Sequence, residues 1–124
     1  MNIPGNLKYT KEHEWVLIEN GIATVGVTDY AQSQLGEIVF VDVTTEGETL
    51  EAGEIFGAIE AVKTVADAFM PLSGEELELN PELEGAPQLV NEDPYGKGWI
   101  IRIKMTNLDE ANELLDSEAY AKLM

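Results

Sequence analysis

The sequence predicts a mainly β fold, a small barrel or sandwich of short strands that ends in a helical tail. Three observations carry this. Short β-rich runs recur along the chain, separated by turn signals every ~8–12 residues. Asn20-Gly21 lies between two of these runs, and that dipeptide is the strongest short hairpin signal. After Met105 the apolar spacing changes from strand-like to helical. The 124 residues suffice for one compact domain, 1–124. No linker, low-complexity segment or tandem repeat divides them.

Trp15 to Ile18 and Ile22 to Val27 read as the first two strands, joined at Asn20-Gly21. "TDYAQSQLG" reads as a short helix, with Thr28 or Asp29 as its cap and Gly36 placed to end it. Ile38 to Val43 is β-rich. "TTEGETLEAGE" is an acidic loop with a turn at Glu46-Gly47. Ile55 to Val62 and Val65 to Met70 are the next strands, the second stopped by Pro71. "SGEELELN" alternates Leu77 and Leu79 against acids, which predicts a half-buried strand with those leucines inward.

"NPELEG" predicts a turn or one helical turn starting near Pro81. "VNEDPYGKG" reads as a long connection containing a turn at Asp93-Pro94-Tyr95-Gly96. Trp99 to Met105 reads as a strand with Arg102 and Lys104 outward. Leu108, Ala111, Leu114 and Leu115 then fall at helical spacing, with Thr106 and Asp109 as a capping pair. A second short helix starts at Ser117.

The formal net charge is −17. Nucleic acid and anionic membrane are held chiefly by Lys and Arg, so neither is an expected partner. Basic clefts on other proteins are. There is no cysteine, hence no protein disulfide, thiolate nucleophile or Cys-based metal site. "DVTTEGETLEAGE" does not match a calcium loop. No apolar run approaches the ~18 residues of a membrane span, and the N-terminus has no apolar signal core. A cytoplasmic bacterial protein is the simplest expectation, and a mature organellar one would read the same.

From Glu12 to Gly96 there are 19 Asp and Glu residues, and Lys63 is the only Lys or Arg. "GAIEAVKTVADAF" is nearly symmetric about the Lys63-Thr64 bond. Folded there, Val62 faces Val65, Ala61 faces Ala66, and Glu60 faces Asp67, as in a hairpin with a two-residue loop. Glu60 opposite Asp67 would set like charges side by side, which a nearby cation offsets. Lys-Thr supplies neither Gly nor Asn, so the tip departs from favoured turn chemistry. Local rules are most often broken at functional sites. An exposed lysine is also, in many proteins, only a solubilising or edge-protecting charge.

"GAIEAVKTVADAFMPLSGE" resembles the lipoyl-attachment hairpin of the glycine cleavage H protein family. "KYTKEHEWV" is similar to that family's N-terminal signature, and "GVTDYAQSQLGEIVFVDV", "LVNEDPYGKGWIIRIK" and "ELLDSEAY" to its later blocks. The resemblance spans nearly the whole chain in order. It implies a flattened barrel-sandwich hybrid of the lipoyl/biotinyl-carrier kind, with short helices and a C-terminal helix. It also implies a non-catalytic carrier whose Lys63 bears lipoic acid in amide linkage. Its implied partners are the P protein (glycine decarboxylase), the T protein (aminomethyltransferase), the L protein (dihydrolipoyl dehydrogenase), and a lipoate ligase or octanoyltransferase. The arm would take the aminomethyl group of glycine from P to T and be reoxidised by L. A monomer is expected.

Around the arm, the resemblance gives Glu60 a part in ligase recognition and matches Gly47 and Gly74 to glycines flanking the unit; both also read as plain turn glycines. Glu14 and Asp67 match positions lining a cleft that shelters the loaded arm, although as residues alone they read as surface acids. Gln34 stands where other members have His, so it cannot take up charge there near neutral pH. Ala61 and Thr64 replace the usual Ser and Ala, which bears on ligase preference. His13, the only histidine, has no nucleophile beside it and reads as a surface or packing residue. Trp15 and Trp99 read as core or sheet-face aromatics.

Other readings remain open on the residues. A biotinyl domain is disfavoured, since biotin sites typically carry Met on both sides of the lysine and Val62 and Thr64 stand here. An H-like donor or relay of lipoyl groups for other complexes has the same residues. So does an acidic β domain whose Lys63 is never modified.

Overall fold

The computed structural model describes residues 1–124. Nine strands form two antiparallel sheets. β1 (Lys8–Tyr9), β2 (Glu14–Glu19) and β3 (Ile22–Val27) begin the larger sheet; β5 (Thr49–Leu50), β8 (Gly74–Leu79) and β9 (Ile101–Met105) complete it, in the order β1-β2-β3-β9-β8-β5. β4 (Ile38–Val43), β6 (Ile55–Ala61) and β7 (Val65–Phe69) make the smaller sheet, in the order β4-β6-β7. The helices are single turns or little more: α1 (Asp29–Leu35), α2 (Glu82–Gly85), α3 (Leu89–Glu92) and α4 (Ser117–Ala121). This is the expected mainly β sandwich, and β5 is a short addition inside the predicted acidic loop. No helix is long and apolar enough to cross a membrane.

The core lies between the sheets. Val16, Val25, Ile101 and Ile103 of the larger sheet share one buried cluster with Phe56, Ile59 and Ala68 of the smaller. Burying such side chains is the main favourable contribution to folding, about 1.5–3 kcal/mol each. A second cluster, Leu7, Tyr9, Trp15 and Tyr120, binds the two ends of the chain together. Tyr9 and Tyr120 stack with ring centroids 4.7 Å apart.

The local signals that held are those with a specific backbone requirement. Asn20 and Gly21 take φ of 52° and 79°, the left-handed values a two-residue hairpin turn wants. Thr28 caps α1 by accepting the Ala31 N–H, and the Gly36 N–H closes on the Gln32 carbonyl. Together they define the ends of a helix too short to persist alone, which rests on the core through the partly buried Ala31 and Leu35.

Three expectations are corrected. In β8, Leu77 is 43% exposed and Glu76 only 1%. A bulge between Glu76 and Glu78 gives β8 one residue more than β9 and turns Leu77 outward. Leu79, beyond the bulge, does pack on the core. The predicted helix over Leu108 to Leu115 is instead a 3₁₀ helix, Leu108–Glu113, capped by Asn107 rather than Thr106. It stops because Leu115 exchanges backbone hydrogen bonds with Tyr9, each 2.8 Å, and extended chain cannot continue a helix. Asp116 then caps α4 through the Ala119 N–H. The connection before β9 contains α3, which the abundance of turn residues there concealed.

Candidate functional site

Lys63 is exposed at the tip of the β6–β7 hairpin. The pairing is Glu60 with Val65, Ile59 with Ala66 and Ala58 with Asp67. The Ala61 N–H reaches the Thr64 carbonyl at 2.8 Å, so the two tip residues are Val62 and Lys63. The predicted mirror axis is therefore one residue late, and Glu60 does not face Asp67. The two carboxylates lie on one sheet face but diagonally, with Val65 and Ala58 opposite them. Neither tip residue has a positive φ. The tip is instead braced from outside: Val62 donates its N–H to the Glu37 carbonyl at 3.0 Å.

The lysine stem has a floor. Gly36, at φ 80°, ends α1, and a Cβ built on it would lie 3.2 Å from Lys63 Cε. Only glycine combines that φ with an open surface for the stem. Asn91 holds this floor in place. Its side-chain amide donates to the Gly36 carbonyl at 2.8 Å and to Gln32 Oε1 at 3.0 Å, while its Oδ1 accepts the Ile38 N–H at 2.9 Å. One α3 side chain thus joins the end of α1 to the start of β4. Nothing in the sequence pattern marked Asn91, because its three partners are all remote.

Beside this platform lies a cleft of about 170 Å³ that brings Glu14, Gln34 and Asp67 together, with His13 and Tyr30 in the same wall. Gln34 and Asp67 are exposed, whereas Glu14 is 2% exposed. Glu14 accepts the Phe69 N–H at 2.9 Å and the Thr10 hydroxyl at 3.1 Å. Burial nevertheless pushes its carboxyl up to about 7, since removal from water outweighs the two donors. Glu14 also borders a larger cavity, about 400 Å³, bounded by Phe69, Glu110 and Glu113. Its carboxyl therefore stands in the wall between two spaces.

His13 has φ 68°, a left-handed backbone unusual for a side-chain-bearing residue. Its ring packs against Tyr30, centroids 4.7 Å apart, and its Nδ1 lies 2.8 Å from the Tyr120 hydroxyl. Burial lowers its pKa, which keeps it neutral at pH 7.

Glu60 shares the outer sheet face with Phe40 and Val65, its direct neighbours across β4 and β7. Together with Val62, 70% exposed, they give the lysine an apolar surround crossed by one carboxylate. Gly47 and Gly74 are elsewhere. Gly47, at φ 85°, turns the loop above β8 and donates its N–H to the Glu76 carbonyl. Gly74 lies in β8 against β9, where a Cβ would overlap Ile103 and the Lys104 carbonyl. The Asp93–Gly96 loop has a supporting part: Pro94 accepts the Trp15 indole N–H at 2.8 Å and the Tyr95 hydroxyl accepts the Asp29 N–H at 2.9 Å. Trp99 lies beneath the Arg102 guanidinium, 4.1 Å from the ring centroid.

Comparison with known proteins gives one answer. Residues 7–124 match the family model described as glycine cleavage H-protein. The glycine cleavage system H protein of Bacteroides thetaiotaomicron is 63% identical over 120 residues, which cover 97% of this chain and 95% of that protein. That of Bacteroides fragilis is 61% identical over the same shares. The crystal structure of a glycine cleavage system H protein from Mycobacterium marinum superposes with a TM-score of 0.89 at 38% identity, covering 98% of each chain.

Proposed function

The chain belongs to the glycine cleavage H-protein family, lipoyl carriers of the glycine cleavage system, and from that premise we propose that Lys63 is the attachment residue. Acylated on Nζ by lipoic acid, it would carry the aminomethyl group of glycine from the P protein to the T protein and be reoxidised through the L protein. The observation that carries this reading is the exposed Lys63 on a braced hairpin tip, next to a cleft holding Glu14 and Asp67.

The residues present fit the prosthetic group. The amine is open to a lipoate ligase or octanoyltransferase, its stem rests on the Gly36 floor, and no cysteine competes for a disulfide. When attached, that group supplies a disulfide which accepts the aminomethyl carbon and is then restored by oxidation. The chain's own residues supply position. The Val62–Glu37 hydrogen bond and the Asn91 clamp hold the root still. Asp67 and Glu14 place carboxyl groups where a cationic amine would stop, and the buried wall of Val27 and Ile59 limits water. Gln34 adds a hydrogen-bonding group without charge. Glu60, in its apolar surround, is a feature that an acylating enzyme could read. The chain is in this reading a carrier in the cytoplasm and catalyses nothing itself.

Intact mass tests the attachment. Co-expression with a lipoate ligase adds ~188 Da to the wild type and nothing to Lys63→Arg; an unmodified wild type under those conditions would refute it. The −17 charge further predicts that association with partner enzymes slows as salt rises. Rates insensitive to ionic strength would remove electrostatics from docking.

A further inference from the structure

We propose that His13 is a binding residue of the arm cleft: its Nε2–H, fixed as a donor by Tyr120, takes an acceptor atom of the docked arm beside the carboxyls of Glu14 and Asp67. The inference rests on the carrier reading above and adds a residue to it.

The direction of the hydrogen bonds follows from burial. Thr28 is fully buried. Its Oγ1 accepts the Ala31 N–H that opens α1, at 3.2 Å, and lies 2.7 Å from the Tyr120 hydroxyl. The Thr28 hydroxyl hydrogen has no other acceptor within the chain, so it goes to the Tyr120 oxygen. Tyr120, 0% exposed, then gives its own hydrogen to the one acceptor left, His13 Nδ1 at 2.8 Å. The reverse direction would strand a hydroxyl hydrogen in the core. With Nδ1 accepting, the neutral ring carries its proton on Nε2.

That Nε2–H makes no hydrogen bond within the chain, and His13 lines the cleft beside Tyr30, against which its ring packs. The backbone holds the ring there in a left-handed conformation, secured by Thr28 N–H to the His13 carbonyl at 3.0 Å. Such strain persists only where surroundings impose it, and it gathers at binding sites. The division of labour is chemical. Carboxyls at Glu14 and Asp67 suit the cationic amine of the cargo. A neutral N–H donor suits the sulfur or amide oxygen of the arm. It offers no positive charge to repel the amine, whereas an imidazolium would.

Two measurements on the fully lipoylated chain test this. Ring nitrogen NMR should show His13 as the Nε2–H tautomer, and Tyr120→Phe should shift that balance toward Nδ1–H. Loading the arm with the aminomethyl group should move the Nε2–H signal. His13→Phe, which keeps an aromatic ring against Tyr30, should release the cargo to water about five- to tenfold faster, the scale of one lost hydrogen bond. A wild-type ring found as Nδ1–H, or a Nε2–H signal unmoved by loading, would overturn the inference. So would release unchanged in His13→Phe while Glu14→Gln and Asp67→Asn accelerate it, an outcome that leaves the cleft reading intact. Release unchanged in all three variants would remove the inference and the cleft reading together.

Discussion

The β2–β3 and β6–β7 hairpins both turn in two residues, at Asn20-Gly21 and at Val62-Lys63. The first closes itself. Both its residues take left-handed φ, which closes the turn locally, and the turn's one outside backbone contact, the Met105 N–H to the Gly21 carbonyl at 3.0 Å, continues the sheet into β9. The second has no left-handed residue and only one hydrogen bond across its last pair. Its shape is imposed by neighbours: the Glu37 carbonyl on Val62, Asn91 beneath Gly36, and Glu14 on the Phe69 N–H at the base of β7. A turn built from its own sequence must keep that sequence. A turn held from outside leaves its tip residues free for chemistry.

The largest test addresses the Glu14 brace. Its folded pKa lies above the ordinary value of 4.5, at about 7. Between those pH values the native chain binds more protons than the unfolded one, so stability falls as pH rises. The loss is about 3 kcal/mol between pH 4 and pH 8, and Glu14→Gln should abolish that part of the slope in urea unfolding. A slope equal in both proteins would show that the carboxyl is not strained by burial.

Asn91→Ala comes next. It leaves the buried-side Ile38 N–H and the Gly36 carbonyl without partners and should cost about 2 kcal/mol. Hydrogen exchange at the Val62 amide should quicken in that variant, and exchange near Gly21 should not. Equal effects at both tips would break the comparison. Gly21→Val, a β-branched residue at φ 79°, should cost about 1–2 kcal/mol in the self-closing turn. Lys63→Ala should change stability by less than about 0.5 kcal/mol, since the tip is braced elsewhere. A larger loss would mean that the lysine stabilises its own turn.

The same contrast explains what could be read from residues. Asn20-Gly21 was legible because its φ values demand those residue types. The Gly36 stop of α1 was legible for the same reason, and the Thr28 cap because its hydroxyl accepts the Ala31 N–H at the helix start. The register at Lys63 was not. Moving the fold point by one residue leaves Ile59, Ala61, Ala66 and Ala68 all facing inward, so the period-two pattern fits both registers. The choice is made by the Val62 hydrogen bond to Glu37, which no local pattern reveals. Glu76 and Leu77 exchanged faces through a bulge, a backbone event that alternation cannot anticipate. The carboxyl so buried has neither oxygen hydrogen-bonded, and burial raises its pKa. The Leu108–Leu115 helix failed because Tyr9 captures Leu115 from across the molecule. In the site, Lys63 stood out from the residues as the lone cation at a near-symmetric hairpin, while its lipoyl role and Glu14, Gln34 and Asp67 came from resemblance to a family. Gly36 and Asn91, which hold the lysine's platform, came only from three dimensions.

A fixed root also has a kinetic meaning. In the proposed carrier, with Lys63 rooted beside the cleft, the end of a lipoyl arm would explore a small volume around one point. Short tethers confine their ends to effective concentrations on the order of millimolar or above. An intrinsic dissociation constant of about 1 mM, or −4.1 kcal/mol, would then dock the arm roughly half the time. The small, open cleft needs no more than that. In that reading, tighter binding would sequester the arm from the proposed partner enzymes, and a looser root would dilute it away from the cleft.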